Sequence, residues 1–273
     1  MNYLILCYNY YKNTRGGFQM KETIYTIPLT DAFQSGDECP FCYIYRNLEQ
    51  DALSFILGCA YMEDDIREQT DQIGFCKEHY KKMYDYGNRL GTALMLHTHY
   101  KALEKELKAK MDAFSPSNKS FFSMFKKTKN HEEAEKETLS QWIKTKDKSC
   151  YICERIDSNF NRYMDTFFYL YSHQPDFKQL FLDSKGFCVS HFGDLMALAE
   201  TKLNASQKES FYPLLFSKME ENLKRIEEDL SWFIDKYDYK NQDAPWKNSK
   251  DAIPRGIQKL VGTYVQDLPF KEK

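Results

Sequence analysis

Eight residues carry whatever chemistry this chain has, and they form one pattern written twice. The first copy places Cys39 and Cys42 in "ECPFCYIYR" and, after 33 intervening residues, Cys76 and His79 in "GFCKEHY". The second places Cys150 and Cys153 in "SCYICERI" and, after 34, Cys188 and His191 in "GFCVSHF". Three thiolates and one imidazole make the tetrahedral donor set of a structural zinc site, with no position left for water. Cys-x-x-Cys at the entry to a helix brings two sulfurs to one point, and Cys-x-x-His at the start of another puts i and i+3 on one face. One such pair would be a weak signal. Two complete sets, in the same order and at nearly equal gaps, point to two zinc ions per chain, with iron as the alternative ion. An iron–sulfur cluster usually takes four cysteines. The competing readings are buried core thiols with two capping histidines, and a thioredoxin-like redox pair at Cys39-Pro-Phe-Cys42, which needs strands that the sequence does not show.

The elements that must position these ligands read as helices, and no segment sustains a period of two, so the expected fold is all-α with two related halves. Residues 43–60 and 154–172 read as helices, and 63–71 and 175–183 as short return helices ending before Gly74 and Gly186, residues suited to a left-handed cap. Long helices restart at the Cys-x-x-His, over 77–112 and 189–203. A further helix over 207–238 is announced by Ser206 and Glu209 as a capping box, contains Pro213, and carries Met219, Leu223, Ile226, Leu230, Phe233 and Tyr237 at spacings of four and three. An 18-residue helix moves the chain about 27 Å, a nine-residue return recovers about 13 Å, and about six connecting residues span up to roughly 20 Å. On that reckoning each half closes on itself and builds its own Cys3His site.

Composition bounds the rest. At 273 residues, 42% hydrophobic and 16% aromatic, the chain has material for two modest cores. Its 38 basic and 40 acidic residues leave a formal charge of −2, without the positive bias of a nucleic-acid binder. Zn²⁺ with three thiolates and a neutral imidazole carries −1, so two sites take the holo-protein to about −4, and the sulfurs call for amide donors at helix starts. No apolar run approaches the roughly 18 residues of a membrane span. The opening "MNYLILCYNYYK" has no basic leader, which makes the cytoplasm the expected compartment, where cysteines stay as thiols.

The expected organisation is an extension over 1–19, a first zinc-binding repeat over 20–112, a connector over 113–149, a second repeat over 150–240, and a tail over 241–273. "RGG" before Met20 can be encoded by a purine-rich ribosome-binding sequence, so translation is expected to start at Met20, an ordinary N-terminal arm being the alternative. In the connector, Phe121, Phe122, Met124 and Phe125 stand beside Lys126, Lys127 and Lys129. Packing on the protein itself is favoured there over peripheral membrane contact through Phe121–Lys127. In the tail, Asp251 can cap a short helix with Pro254 in its first turn, and Trp246 is expected to anchor it. His97, His99, His131 and His173 read as solvated or capping residues, Cys59 as core, and Gly87 and Gly91 as points of close helix contact. No catalytic motif stands out.

"MKETIYTIPLTDAF", "ECPFC", the two "GFC" motifs and "PWKNSKDAIPRGIQKL" make the chain from Met20 to Gly262 resemble an uncharacterised family of bacterial proteins known only as a domain of unknown function. Some relatives carry an automatic label of ABC-transporter substrate-binding protein, which the all-helical pattern argues against. The resemblance implies no activity. The expected function is a zinc-stabilised, non-catalytic scaffold or adaptor for a protein partner, with a thiol-based redox or metal sensor as the alternative.

Overall fold

A computed structural model describes residues 18–114, 138–267 and 270. The described residues form helices and no strand, as the periodicity predicts. In chain order the α-helices are α1 (Phe18–Gln34), α2 (Pro40–Gly58), α3 (Asp64–Ile73), α4 (Lys77–Tyr86), α5 (Arg89–Asp112), α6 (Leu139–Lys148), α7 (Tyr151–His173), α8 (Pro175–Asp183), α9 (Val189–Lys202), α10 (Ala205–Asp235) and α11 (Ala252–Val261). The chain divides into two compact units, one of Met1–Ala52 with Arg155–Pro269, the other of Leu53–Glu154 with Phe270–Lys273. Two of the three boundaries fall inside long helices, α2 and α7, so the units do not follow the two sequence repeats.

The first unit is built on phenylalanine. Phe33, Phe41, Phe167, Phe181, Phe187 and Phe211 are buried in one cluster with Leu29, Met164 and Leu215. Phe33 stacks on Phe167 at 5.8 Å and Phe41 on Phe187 at 5.4 Å. Such pairs add about 0.5–1.5 kcal/mol each beyond the area they bury. In the second unit α3 packs against α5, with Ile66, Thr70, Met83 and Met95 buried.

Several boundaries differ from expectation for local reasons. The stretch 77–112 is two helices, because Gly87 is left-handed at φ 107° and Asn88 then caps α5, its side chain accepting from Gly91 N at 2.8 Å and donating to Leu57 O at 2.5 Å. The capping box of α10 is Asn204 with Gln207, two residues before the expected pair. Its buried face is Phe211, Leu215, Met219, Asn222 and Ile226, while Leu223 is 41% and Tyr237 75% exposed, so the expected stripe is off the core at those two positions. Two helices were not anticipated: α1, and α6 with its Thr138–Gln141 capping box.

The tail helix α11 forms where expected, but Asp251 makes no side-chain cap; its carboxylate instead accepts from Arg255 Nε at 2.9 Å. Trp246 packs on Phe233 of α10 at 5.6 Å. The buried face of α11 is mixed, with Arg255, Gln258 and Lys259 inside beside Ala252, Pro254 and Gly256, and Leu260 and Val261 outside. The connector aromatics and lysines, His131, Cys7 and residues 1–17 lie outside the described residues.

Candidate metal centres

All eight expected ligands come together in two Cys3His clusters, in each of which one donor atom per residue lies within 4.8 Å of every other. The pairing differs from expectation. Cys39 and Cys42 meet Cys188 and His191, while Cys150 and Cys153 meet Cys76 and His79. Each cluster therefore takes its Cys-x-x-Cys from one sequence half and its Cys-x-x-His from the other. The cause lies in the connection between the helices, since their lengths are close to those expected. At 19 residues α2 rises about 28 Å from its cysteine end, and the ten residues of α3 span about 15 Å. A 3-10 turn at Ala60–Met62 takes up the connecting residues that would have had to stretch, and α3 lies along α5.

The two clusters are local copies of each other. Gly74 and Gly186 both have φ 74°, the left-handed backbone that a side chain would strain. Two residues later, Cys76 (φ −74°, ψ 166°) and Cys188 (φ −71°, ψ 162°) are the N-caps of α4 and α9. Cys39 and Cys150 likewise directly precede α2 and α7, their carbonyls accepting from Tyr43 N at 3.2 Å and Glu154 N at 3.0 Å. Two helix N-termini thus meet at each cluster, where amide donors and the positive end of the helix dipole favour thiolate. Cys153 N donates to Cys150 Sγ at 3.5 Å.

The donor geometry fits a tetrahedral ion. Zn–S of about 2.3 Å and Zn–N of about 2.0–2.1 Å imply edges of about 3.8 Å between sulfurs and about 3.6 Å between sulfur and nitrogen. In the first cluster, Cys39, Cys42 and Cys188 Sγ stand 3.4, 3.4 and 3.2 Å from His191 Nδ1, and Cys42 Sγ stands 3.6 Å from Cys188 Sγ. In the second, Cys76, Cys150 and Cys153 Sγ stand 3.3, 3.2 and 3.4 Å from His79 Nδ1, and Cys76 Sγ stands 4.0 Å from Cys153 Sγ. The six cysteines are free thiols.

Their ionisation follows from this crowding. Hydrogen bonds from Cys39 and Cys42 hold the Cys188 thiol far below its usual range, and the same interactions push Cys42 up. Burial opposes charge on Cys150, but the hydrogen bond with His79, the backbone amides of Cys153 and Cys76 and the charge of His79 together outweigh it and bring the thiol down to about 6. Burial also opposes charge on His191, and hydrogen bonds with Cys188 and Cys39 outweigh it, raising the imidazole to about 10. A metal ion would take the place of the shared protons.

Several supporting residues had no sequence signal. Glu38, next to Cys39 and 3% exposed, lies 2.5 Å from Arg225 Nη2 and 3.3 Å from Lys259 Nζ, with Arg255 at 3.7 Å. Lys259 donates to the Glu38 and Lys185 carbonyls at 2.6 and 2.7 Å. Gln258 reaches Asp37, whose carboxylate also accepts from Cys39 N at 3.0 Å. Gly262, left-handed at φ 78°, backs the sulfurs so closely that a Cβ there would lie 3.4 Å from Cys42 Sγ and 3.5 Å from Cys188 Sγ. Around the second cluster, Tyr151 N donates to Gly74 O at 3.0 Å and Ser149 Oγ to Ile73 O at 2.6 Å. Among the described residues, the remaining histidines His97, His99 and His173 lie outside both clusters: His99 Nδ1 is 2.9 Å from Asp71 O and His173 Nδ1 is 2.8 Å from Tyr169 O. Cys59, expected in the core, is half-buried and belongs to neither cluster.

Fold and clusters together define an all-helical protein with two closed Cys3His groups suited to metal binding. The chain belongs to a family of unknown function (DUF6062), whose model matches residues 20–267. No curated protein and no solved structure matches it. No helix among the described residues is long and apolar enough to cross a membrane.

Proposed function

We propose that both clusters hold zinc and that the chain is a non-catalytic, zinc-stabilised helical scaffold or adaptor, working in the cytoplasm on a protein partner. The observation that carries this reading is closure: four protein donors occupy the four corners of each cluster, at edges that suit Zn²⁺ and leave no corner for water or substrate. Bound zinc would act as a cross-link between helix starts, tying α2 to α9 and α4 to α7. The chain reads as a tandem duplication in which each repeat lends one ligand pair to each cluster.

Elemental analysis of protein purified without added metal tests this directly. Two zinc ions per chain are expected; none, or iron in their place, refutes the reading. A thiol-based sensor is the second reading, favoured by one observation: Cys76 and Cys153 are only partly buried, unlike the sulfurs of the first cluster.

A further inference from the structure

The two clusters present the same donors and differ in access. Cys39, Cys42 and Cys188 are at most 2% exposed, and Gly262 lies against the last two sulfurs. In the second cluster Cys150 and His79 are buried, but Cys76 and Cys153 both reach solvent, and their sulfurs stand 4.0 Å apart. Those two thiols belong to different helix starts, Cys76 at the N-cap of α4 and Cys153 in the first turn of α7. Coordination and burial protect thiolates from oxidants, and in the second cluster these two cysteines, each the other's sulfur neighbour at 4.0 Å, are the ones only partly buried.

We propose that Cys76 and Cys153 are an oxidation site for hydroperoxides, converted to a disulfide as the second cluster gives up its ion. This rests on the reading that the clusters hold zinc. One thiolate attacks a peroxide oxygen; the S–O bond forms, the O–O bond breaks, and hydroxide or alkoxide leaves and takes up a proton. The second thiolate attacks the resulting sulfenic sulfur; the S–S bond forms and hydroxide leaves as water. Two electrons pass from the two sulfurs to the peroxide, and Zn²⁺ departs with its charge unchanged. The disulfide keeps α4 tied to α7 after the ion has gone, so the event releases Cys150 and His79 without severing the two helix starts.

The test uses the full chain, with its zinc first counted by elemental analysis. Hydrogen peroxide is added in steps while a chromogenic chelator reports released zinc, and differential alkylation with peptide mass spectrometry reports each cysteine. Release of one ion of two at a few equivalents, a Cys76–Cys153 disulfide, and unmodified Cys39, Cys42 and Cys188 are expected, with reductant and zinc restoring the start. Simultaneous loss of both ions, retention of both into large excess, or a Cys150–Cys153 disulfide instead would overturn the proposal. If the protein contains no metal at the outset, the zinc reading has failed, and the disulfide map still decides the pair. Cys153→Ser should hold one zinc and form no disulfide; if it does not fold, the map of the unaltered protein stands alone.

Discussion

Replacing Cys42 by serine separates the two ways of wiring the ligand octet. Cys42 Sγ is 3.6 Å from Cys188 Sγ and 3.4 Å from His191 Nδ1, and Cys76 belongs to the other cluster. A serine hydroxyl stays protonated at neutral pH and replaces a thiolate poorly as a zinc ligand, so the first cluster should lose its ion. Zinc bound to small modules is worth about 10–16 kcal/mol at pH 7, against about 5–15 kcal/mol for the whole stability of a domain. Loss of that ion should therefore loosen the helix starts around it. The structure fixes which thiols then gain reactivity over the unaltered protein: Cys39 and Cys188 gain exposure to an alkylating reagent, while Cys76, Cys150 and Cys153 keep their ion and the reactivity they had. Zinc content should fall from two ions to one, and mass spectrometry after brief iodoacetamide treatment should show increased label at two cysteines of the remaining five in the octet. Label at Cys76 with Cys188 protected would show that each half closes on itself, and the crossed pairing would be refuted.

Gly262→Ala puts a side chain into a left-handed backbone and against two ligand sulfurs; it should cost about 1–3 kcal/mol in urea unfolding of the zinc-loaded protein and speed zinc loss from the first cluster alone. Zinc uptake should release protons: without metal His191 holds its proton up to about 10 and Cys42 is pushed up, so both are protonated at pH 7 and must deprotonate to ligate. Affinity at the first cluster should rise about tenfold per pH unit for each proton displaced, and a weakly buffered titration showing no acidification on zinc addition would refute this. Lys259→Met removes a fully buried ammonium from Glu38 and two carbonyls; breaking a buried pair costs about 3–5 kcal/mol, and a loss under 1 kcal/mol in chemical unfolding would show that Arg225 and Arg255 suffice. Asn88→Ala should cost about 1 kcal/mol by removing the cap of α5, read as a lowered midpoint of thermal unfolding.

The eight residues that gather in the two clusters were legible in the sequence because metal chemistry restricts residue type and helix starts restrict spacing. Their partnership was not, because contour length gives only an upper bound: six residues can span roughly 20 Å, but those after α2 are wound into a 3-10 turn and a cap. The break between α4 and α5 was written in Gly87-Asn88, a left-handed residue followed by a capping one, and was masked by the helical pattern on both sides. The Thr138–Gln141 capping box of α6 was equally readable. For α1 the signal is thinner: from residue 24 onward its buried positions are Leu29, Ala32 and Phe33, and Pro28 lies inside the helix just before them. Glu38 could not have been found, since its meaning depends on Lys185, Arg225, Arg255 and Lys259, at least 147 positions away.

That dependence explains why α11 turns Arg255, Gln258 and Lys259 inward. With zinc bound as proposed, the first Cys3His cluster would carry −1, and Glu38, the residue next to Cys39, adds another negative charge in a place 3% exposed. Two like charges so close in a medium of low dielectric would repel strongly unless cations are held there. Arg255 and Lys259 supply them from α11, and Arg225 from α10. Burial lowers the pKa of Lys259 while Glu38 and the Cys39 sulfur raise it, which places its charge in the field of both the carboxylate and the cluster. Burial opposes charge on Arg46, but Asp37, with smaller contributions from Asp267 and Cys42, raises it. The stretch "PRGIQKLVG" thus does three jobs within nine residues: Arg255 and Lys259 balance charge, Gln258 and Lys259 hold the Asp37–Glu38 backbone and side chains ahead of Cys39, and Gly262 closes over the sulfurs. An apolar face turned inward would seal the cluster equally well and leave its charge unanswered.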